Sequence, residues 1–580
     1  MRAILKKIGV LLDGKQKRFM VLLVFMMLIG AILEVASIGI IVPVITVVME
    51  ENAIEKEGLV RTLYELFHMQ SKQQFIIVIM LMLVALFVVK NIYIYIQQKV
   101  MLKFVYGNQF RTSERMMKNY LRKGYEFYLN SDTAMIQRNI TSDVNNMYAL
   151  ILAVLQLVSE GIVFICLLCV LMVSDFVMTV FIGFVLLLLL LVIKVWLKPI
   201  MRKAGEDNQN FYSGLFKWIS QTVQGIKEVK IAGKEQYFVN EYIKCGKGYV
   251  DAVQKYSLYN QIPRLLIESV SIACMILYML FLVLRGTDTT SMMTTIGAFA
   301  AAAVRLIPCA NRINNQLNTI AYCEPFFMGV SDNLQDEIDG KNTDMSFADE
   351  AKEALPITKS IRLQDITYAY PNTDVLIFDH ADMEVPVGAA VGIVGASGAG
   401  KTTVVDILLG LLAVKTGTIY ADDVDIKTHY RAWLKNIGYI PQMIFMLDDT
   451  IRRNVAFGVA GENIDEDRVW EVLKEAQMDE FVRNLPEGLD TGIGERGIRL
   501  SGGQRQRIGI ARALYNDPEV LILDEATSAL DNDTEAAIMD SINRLHGKKT
   551  LIIIAHRLQT IEKCDMIYRI EDGKAKKERA

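Results

Sequence analysis

The chain has 580 residues, which is enough for several domains, and 52% of them are hydrophobic. Together with a mean hydropathy of +0.28, this composition excludes an ordinary soluble enzyme. The net charge of −3 says little about partners, because it averages two unlike halves. We expect no nucleic-acid partner. Long apolar runs end near Met328, so we expect a membrane half followed by a soluble half.

Six stretches in the first half are long and apolar enough to cross a bilayer, which takes roughly 20 residues of helix. Basic residues between Arg2 and Arg18 predict a cytosolic N-terminus. Six spans return the chain to the cytosol, so we expect a multi-pass plasma-membrane protein with a transmembrane domain over residues 1–328. The predicted spans are Val21–Val48, Phe75–Ile96, Leu150–Val173, Phe176–Trp196, Leu265–Leu284 and Met292–Ile313.

The loops between these spans are unequal. Gln97–Tyr148 and Lys198–Arg264 are long, polar and helix-rich, and both are expected in the cytosol. Leu59–Phe67 has apolar residues at helical spacing. It fits either an amphipathic helix on the outer membrane surface or an ordinary surface helix packed on protein.

Basic residues within or at the ends of spans are costly in a bilayer and therefore indicate function. Cations that face an internal cavity would suit a substrate that carries phosphate. Simpler interpretations remain open: a basic side chain can reach the cytosolic interface, Arg264 can pair with Glu268, and Glu34 or Glu160 can neutralise a neighbour. The candidate substrate residues are Lys90, Arg264, Arg305 and Arg312.

An acidic, polar stretch follows the last span, and residues 329–356 are predicted to be a solvated linker. Residues 357–580 are then a separate α/β domain. This domain contains V-G-I-V-G-A-S-G-A-G-K-T-T at Val391–Thr403, between an apolar strand and a helical run. That context predicts a phosphate-binding loop, in which Lys401 reaches the phosphates and Thr402 holds Mg²⁺.

Other motifs in this half carry groups suited to nucleotide chemistry. Tyr370 precedes the loop, and its ring could stack on a base or simply pack in the fold. Val520–Asp524 is an apolar strand that ends in an acid, and Glu525 is placed to orient or deprotonate water. Leu500–Gln504 reads L-S-G-G-Q, and a last apolar strand ends at His556.

Together, G-x-x-G-x-G-K-T, L-S-G-G-Q, L-D-E, S-A-L-D and A-H-R resemble the motifs of ATP-binding-cassette transporters. The resemblance implies ATP as substrate, Mg²⁺ as cofactor, Glu525 as base, His556 as the γ-phosphate switch and Lys401 as the third catalytic group. It also implies Mg²⁺ contacts from Thr402, Gln442 and Asp524, and a homodimer, since the L-S-G-G-Q segment acts on ATP held by the other subunit. The implied ATP-binding residues are Tyr370, Gly395, Ala396, Ser397, Gly398, Ala399, Gly400, Lys401, Thr402, Thr403, Gln442, Ser501, Gly502, Gly503 and Gln504.

The membrane half resembles the exporter type of this family, an all-α domain of six helices with long cytosolic extensions. Tyr125–Thr133 and Gln224–Glu235 are similar to its coupling-helix regions. Gln261–Leu265 and Arg305–Ile313 look more like the lipid-linked oligosaccharide flippases of bacterial N-glycosylation. The resemblance implies a polyprenyl-pyrophosphate glycan as cargo. The alternatives are an exporter of lipids or hydrophobic drugs, a peptide exporter, and a nucleotide-gated channel, against which the intact Glu525 argues.

Overall fold

The computed structural model describes residues 2–39, 72–174, 176–284, 289–338, 353–525, 538–540, 542, 544–555 and 561–579. The chain divides into two compact units. One comprises residues 1–121 and 131–342, and the other comprises residues 122–130 and 343–580. The division after residue 342 falls within the predicted linker, 329–356.

The first unit is helical. Among the residues that the structure describes, five of its helices are long and apolar enough to cross a membrane, as expected for five of the six predicted spans. The sixth predicted span lies in the helix that begins at Thr289, where the side chains of residues 289–305 are outside the described set. The helices before residue 339 are α1 (Arg2–Leu11), α2 (Gly14–Gly39), α3 (Lys72–Leu121), α4 (Tyr125–Leu129), α5 (Thr133–Arg138), α6 (Val144–Ser174), α7 (Phe176–Gln224), α8 (Ile226–Ala232), α9 (Glu235–Leu284) and α10 (Thr289–Ile338); of these, α4 belongs to the second unit.

The spans continue without a break into polar helix. α3 and α9 each have 50 residues, or about 75 Å at 1.5 Å per residue, far more than a bilayer needs. The predicted cytosolic extensions are therefore continuations of the spans. The predicted amphipathic segment Leu59–Phe67 lies outside the described residues.

The prediction of a linker from residue 329 is wrong in its first part, because α10 continues to Ile338. Val330 and Leu334 are four residues apart and are 0% and 1% exposed. This apolar face is buried, and its packing stabilises the helix despite the acidic residues around it. The acidic composition indicated solvation of the segment as a whole, whereas only one side of the helix is solvated.

A buried polar cluster joins α5 to α7 through a short π-helical segment, Asn139–Asp143. Arg138 Nε lies 3.2 Å from Asp143 Oδ2, and Gln209 Nε2 donates to the same oxygen at 2.8 Å. The Asp143 side chain is fully buried. π-helical turns are rare and often occur at functional sites.

The described residues of the second unit form two sheets. A four-stranded antiparallel sheet has the order β2-β1-β4-β5, and a six-stranded sheet has the order β10-β9-β3-β8-β7-β6. The strands are β1 (Ser360–Tyr368), β2 (Phe378–Pro386), β3 (Ala390–Gly395), β4 (Thr416–Ala421), β5 (Val424–Asp425), β6 (Ile437–Ile440), β7 (Val520–Asp524), β8 (Thr550–Ile554), β9 (Met566–Glu571) and β10 (Lys574–Arg579).

The larger sheet is parallel except for β10. Apolar clusters cover both of its faces, which explains why β7 and β8 are continuous apolar runs. The helices after residue 353 are α11 (Lys401–Leu408), α12 (Tyr430–Leu434), α13 (Ile451–Val455), α14 (Glu466–Glu475), α15 (Asp479–Arg483) and α16 (Gly502–Leu514).

The order β3-β8-β7 brings the carboxyl ends of three strands to one edge of this sheet. Ile554 of β8 lies beside Ile393 of β3 on one side and Asp524 of β7 on the other. The turn after β3 and the acid at the end of β7 are therefore about 10 Å apart, two strand spacings. This edge is where ligands bind in open parallel sheets.

Helix α4 belongs to the second unit although it lies more than 200 residues before the rest of it. The backbone N–H of Ala413, which follows α11, donates to Glu126 Oε1 at 3.1 Å. Tyr125 lies close enough to Asp406 of α11 to interact electrostatically with it. Most of the segment that resembles a coupling helix, residues 125–130, is thus part of the second unit.

Candidate functional site

The turn between β3 and α11 has the geometry of a phosphate cradle. Gly398 and Gly400 have φ values of 80° and 100°, in the region that favours glycine. A Cβ at Gly400 would lie 2.8 Å from Ile377 Cγ2, so this position is closed to a side chain. Ala396, Ser397 and Gly398 are exposed between the end of the strand and the helix. Their backbone and the N-terminus of α11 are available to an anion.

Lys401 closes over this turn. Its Nζ donates to the carbonyl oxygens of Gly395 at 3.1 Å and Ala396 at 3.0 Å. Only 6% of the residue is exposed, so the ammonium group is held against the loop. A positive charge in this position can meet the outer phosphates of a nucleotide.

The acidic end of β7 faces the same turn. Asp524 is 3% exposed. Burial and then the negative charge of Glu525 raise its pKa, against hydrogen bonds from Thr402 and Tyr439 that favour the ionised form. Glu525 has a φ of 48°, a strained conformation for a residue with a side chain. Gln442 Nε2 donates to Glu525 Oε2 at 2.7 Å, so the predicted loop glutamine and the predicted base are in contact.

The residues at this edge fit a magnesium ion. Asp524 Oδ1 is buried and has no hydrogen-bond partner among the described residues, a costly state that a cation would relieve. The Thr402 hydroxyl interacts with the same carboxylate, and Gln442 keeps its amide oxygen available while its nitrogen donates to Glu525. Mg²⁺ prefers such oxygen ligands, completed by phosphate and water.

Tyr370 lies beside the phosphate turn, two residues after β1. Its hydroxyl is 2.9 Å from Thr403 Oγ1. Its ring meets the ring of Tyr368 edge to face, with centroids 5.3 Å apart. Tyr370 therefore packs within the fold and also lies next to the phosphate turn.

The L-S-G-G-Q segment forms a separate element, the first turn of α16. The Gln504 N–H donates to Ser501 Oγ at 3.2 Å, and the Ser501 N–H donates to Gln504 Oε1 at 2.8 Å. This reciprocal cap fixes the turn, while Ser501 and Gly502 remain exposed. An exposed helix N-terminus with two glycines can approach an anion closely. His556 and the S-A-L-D motif lie outside the described residues.

Sequence reasoning missed Asp406, which lies on α11 one turn after Thr402. Burial, followed by the charge of Asp524, raises the pKa of Asp406 from 3.8 to about 6. The available signal was a single acid within the apolar run from Val404 to Leu411.

Replacing Asp406 with asparagine is expected to stabilise the protein above pH 6. The folded state binds the extra proton between about pH 4 and pH 6, so the free energy of unfolding falls as pH rises through that window. Asparagine removes this penalty, on the order of 1 kcal/mol after discounting for partial exposure. In the full chain in detergent, the thermal unfolding transition of the second unit should shift upward by about 2–4 °C at pH 8 and not at pH 4.

The exposed Asp374 provides a matched control, because Asp374→Asn should shift neither curve. An Asp406→Asn variant that gains as much at pH 4 as at pH 8 would contradict the assignment of the penalty to this carboxylate.

Three of the four candidate substrate residues have local partners. Lys90 is buried, with its Nζ 4.5 Å from the centre of the Phe87 ring. Arg264 Nε lies 2.9 Å from Glu268 Oε1, and Arg312 Nε lies 2.7 Å from Glu160 Oε1. The two arginines therefore adopt the pairings that the sequence left open. The side chain of Arg305 is outside the described set.

Comparisons with known proteins agree with both halves of the chain. Residues 19–304 match the family model "ABC transporter transmembrane region", and residues 378–528 match "ABC transporter". An ATP-dependent lipid A-core flippase of Syntrophus aciditrophicus is 31% identical over 482 residues, 80% of this chain and 76% of that protein. The flippase of the same name from Escherichia coli K12 is 31% identical over 378 residues, 64% of this chain and 63% of that protein.

A solved structure, described as a bacterial Atm1-family ABC exporter with ATP bound, has the same fold. It superposes with a TM-score of 0.75 at 22% identity and covers 97% of this chain and 95% of that one. The chain therefore belongs to the ABC transporter family, as a membrane protein in which a helical transmembrane domain precedes an ATP-binding cassette whose hydrolysis of ATP drives transport.

Proposed function

We propose that this transporter moves a polyprenyl-pyrophosphate-linked oligosaccharide across the plasma membrane, with its cassette in the cytosol. The observation that carries the proposal is the presence of basic residues in the apolar half of the chain, Arg312 above all. One guanidinium group can donate two parallel hydrogen bonds to two oxygens of the same phosphate. The lipid tail would remain in the bilayer while the pyrophosphate meets these cations. The name of the lipid A-core flippase relatives supports a lipid as cargo.

In the cassette, the described residues suggest a division of labour. Lys401 and the backbone of the glycine turn hold the phosphates, and Tyr370 contacts the base. Glu525, held by Gln442 at 2.7 Å, orients the attacking water and accepts its proton. Thr402, Asp524 and Gln442 would hold Mg²⁺, which when bound neutralises charge on the phosphate oxygens.

Two copies of the chain would form the working unit. Each copy has one phosphate turn and one L-S-G-G-Q turn, and the exposed first turn of α16 would close on ATP held by the partner. A homodimer satisfies this with one gene product. Binding of ATP would bring the cassettes together, and hydrolysis would release them.

Replacing Arg305 and Arg312 with alanine tests the cargo. In reconstituted vesicles, we expect translocation of the glycolipid to fall about 10- to 100-fold, the loss of charged hydrogen bonds worth roughly 1.5–3 kcal/mol. Basal ATP hydrolysis should persist. Arg202→Ala, on the part of α7 that follows its predicted span, removes another ion-paired arginine and should leave translocation intact. Unchanged translocation in the double variant would refute the cargo assignment.

An exporter of other lipids or of hydrophobic drugs is the second candidate. The observation in its favour is that Arg264 and Arg312 are each paired with a glutamate, which lowers the net positive charge at these positions. ATP hydrolysis stimulated by hydrophobic drugs, and not by a pyrophosphate lipid, would favour this candidate.

A further inference from the structure

The ion pair between Arg312 and Glu160 joins two helices that are distant in sequence. Arg312 of α10 and Glu160 of α6 meet at 2.7 Å although they are 152 positions apart in the sequence. Cys309, one turn before Arg312, directs its Sγ to Glu160 Oε2 at 3.5 Å and to the Glu160 carbonyl oxygen at 3.4 Å. The carboxylate is thus contacted by two residues of α10.

This pair lies beside buried apolar side chains of the first unit. Ala31, Phe164 and Ala310 belong to one buried cluster around it. Glu34 of α2 is close enough to act electrostatically on Arg312. Glu34 follows Arg18 by sixteen residues, which is about 24 Å along the helix. Solvent screens partly buried charges less than exposed ones, so the pair retains more of its strength than a surface pair would.

The two partners differ in exposure. The side chain of Glu160 is 21% exposed, whereas that of Arg312 is 47% exposed. Glu160 is therefore held in the helix packing, while about half of the Arg312 side chain is left uncovered. A ligand can reach Arg312, but it must compete with a carboxylate that is already in place.

We propose that Glu160 is a specificity-determining counter-ion. Its carboxylate prevents ordinary phospholipids from binding to Arg312 and is displaced only by a headgroup of higher charge. A singly charged phosphodiester replaces one negative charge with another and gains little. A pyrophosphate brings more charge and more oxygen acceptors to the same guanidinium, so it displaces the carboxylate. Because phospholipids are in large excess in any membrane, they would occupy Arg312 if it had no counter-ion. This inference rests on the proposed function.

Glu160→Gln tests the proposal, because it removes the charge and preserves the shape. The full-length transporter in detergent micelles is titrated with a fluorescent phosphatidylglycerol and with undecaprenyl pyrophosphate as competitor. We expect the preference for pyrophosphate over phosphatidylglycerol to fall at least about fivefold, because even an exposed ion pair can be worth ~1 kcal/mol. Glu160→Asp, which keeps the charge, should retain the preference. Glu206→Gln removes the carboxylate of a comparable pair with Arg202 at 3.1 Å and should also retain it.

The double variant Glu160→Gln, Arg312→Gln removes both charges of this pair. It replaces the single variant in the experiment if the single variant does not fold. It should bind both lipids weakly and without preference. A wild-type preference in Glu160→Gln or in the double variant would overturn the inference alone. A wild-type protein that binds undecaprenyl pyrophosphate no better than phosphatidylglycerol would instead overturn the proposed function.

Discussion

Replacing Glu525 with glutamine is expected to slow ATP hydrolysis by about 10²- to 10⁴-fold, the usual contribution of a general base. Glutamine keeps the size of the side chain but cannot accept a proton from the attacking water. Nucleotide binding should persist, since Lys401 and the glycine turn are unchanged. Phosphate release measures the first effect, and titration with a fluorescent ATP analogue measures the second.

Glu519 offers a matched control for this change. It is an exposed glutamate that directly precedes β7, whereas Glu525 directly follows it. Glu519→Gln should hydrolyse ATP at the wild-type rate. If Glu525→Gln also did so, the assigned base would be wrong, and the contact with Gln442 at 2.7 Å would have only a structural role.

Replacing Lys401 with alanine is expected to raise the Kd for ATP about 10- to 100-fold. The variant loses charged hydrogen bonds to phosphate worth roughly 1.5–3 kcal/mol. It also leaves the carbonyl oxygens of Gly395 and Ala396 without the donor that now lies 3.1 Å and 3.0 Å away. Isothermal titration with ATP in the presence of Mg²⁺ measures the change directly.

Lys415, an exposed lysine that follows the phosphate-binding helix α11, is the control for this variant. Lys415→Ala should bind ATP normally, because its ammonium group is in solvent. An unaltered Kd in Lys401→Ala would mean that the backbone of the turn suffices for the phosphates and that the ammonium group serves only to brace the loop.

The nucleotide half could be predicted closely because its signals are local. The glycine turn, the acid at the end of β7 and the cap at Ser501 each depend on residues that are neighbours in sequence. The parallel order of the strands then brings Gln442 and Glu525 together. Asp406 escaped prediction, because its raised pKa depends on burial by distant parts of the chain.

The membrane half was less accessible to sequence reasoning. Hydropathy located the spans, but it could not determine how the helices are rotated against one another. Whether Arg312 meets Glu160 or an open cavity depends on that rotation. The extension of α10 to Ile338 was hidden for another reason: two buried apolar residues, Val330 and Leu334, define its face within an acidic stretch.

Because α4 belongs to the second unit, which contains the ATP-binding cassette, this transporter cannot be cut into fragments or built into chimeras at residue 343 alone. A fragment that starts at residue 343 would lack residues 122–130, and the N–H of Ala413 would lose its acceptor on Glu126. A chimera that exchanged only the C-terminal half with a related exporter would carry the same mismatch in every molecule. The unit of exchange should therefore comprise two separate stretches of the gene, replaced together.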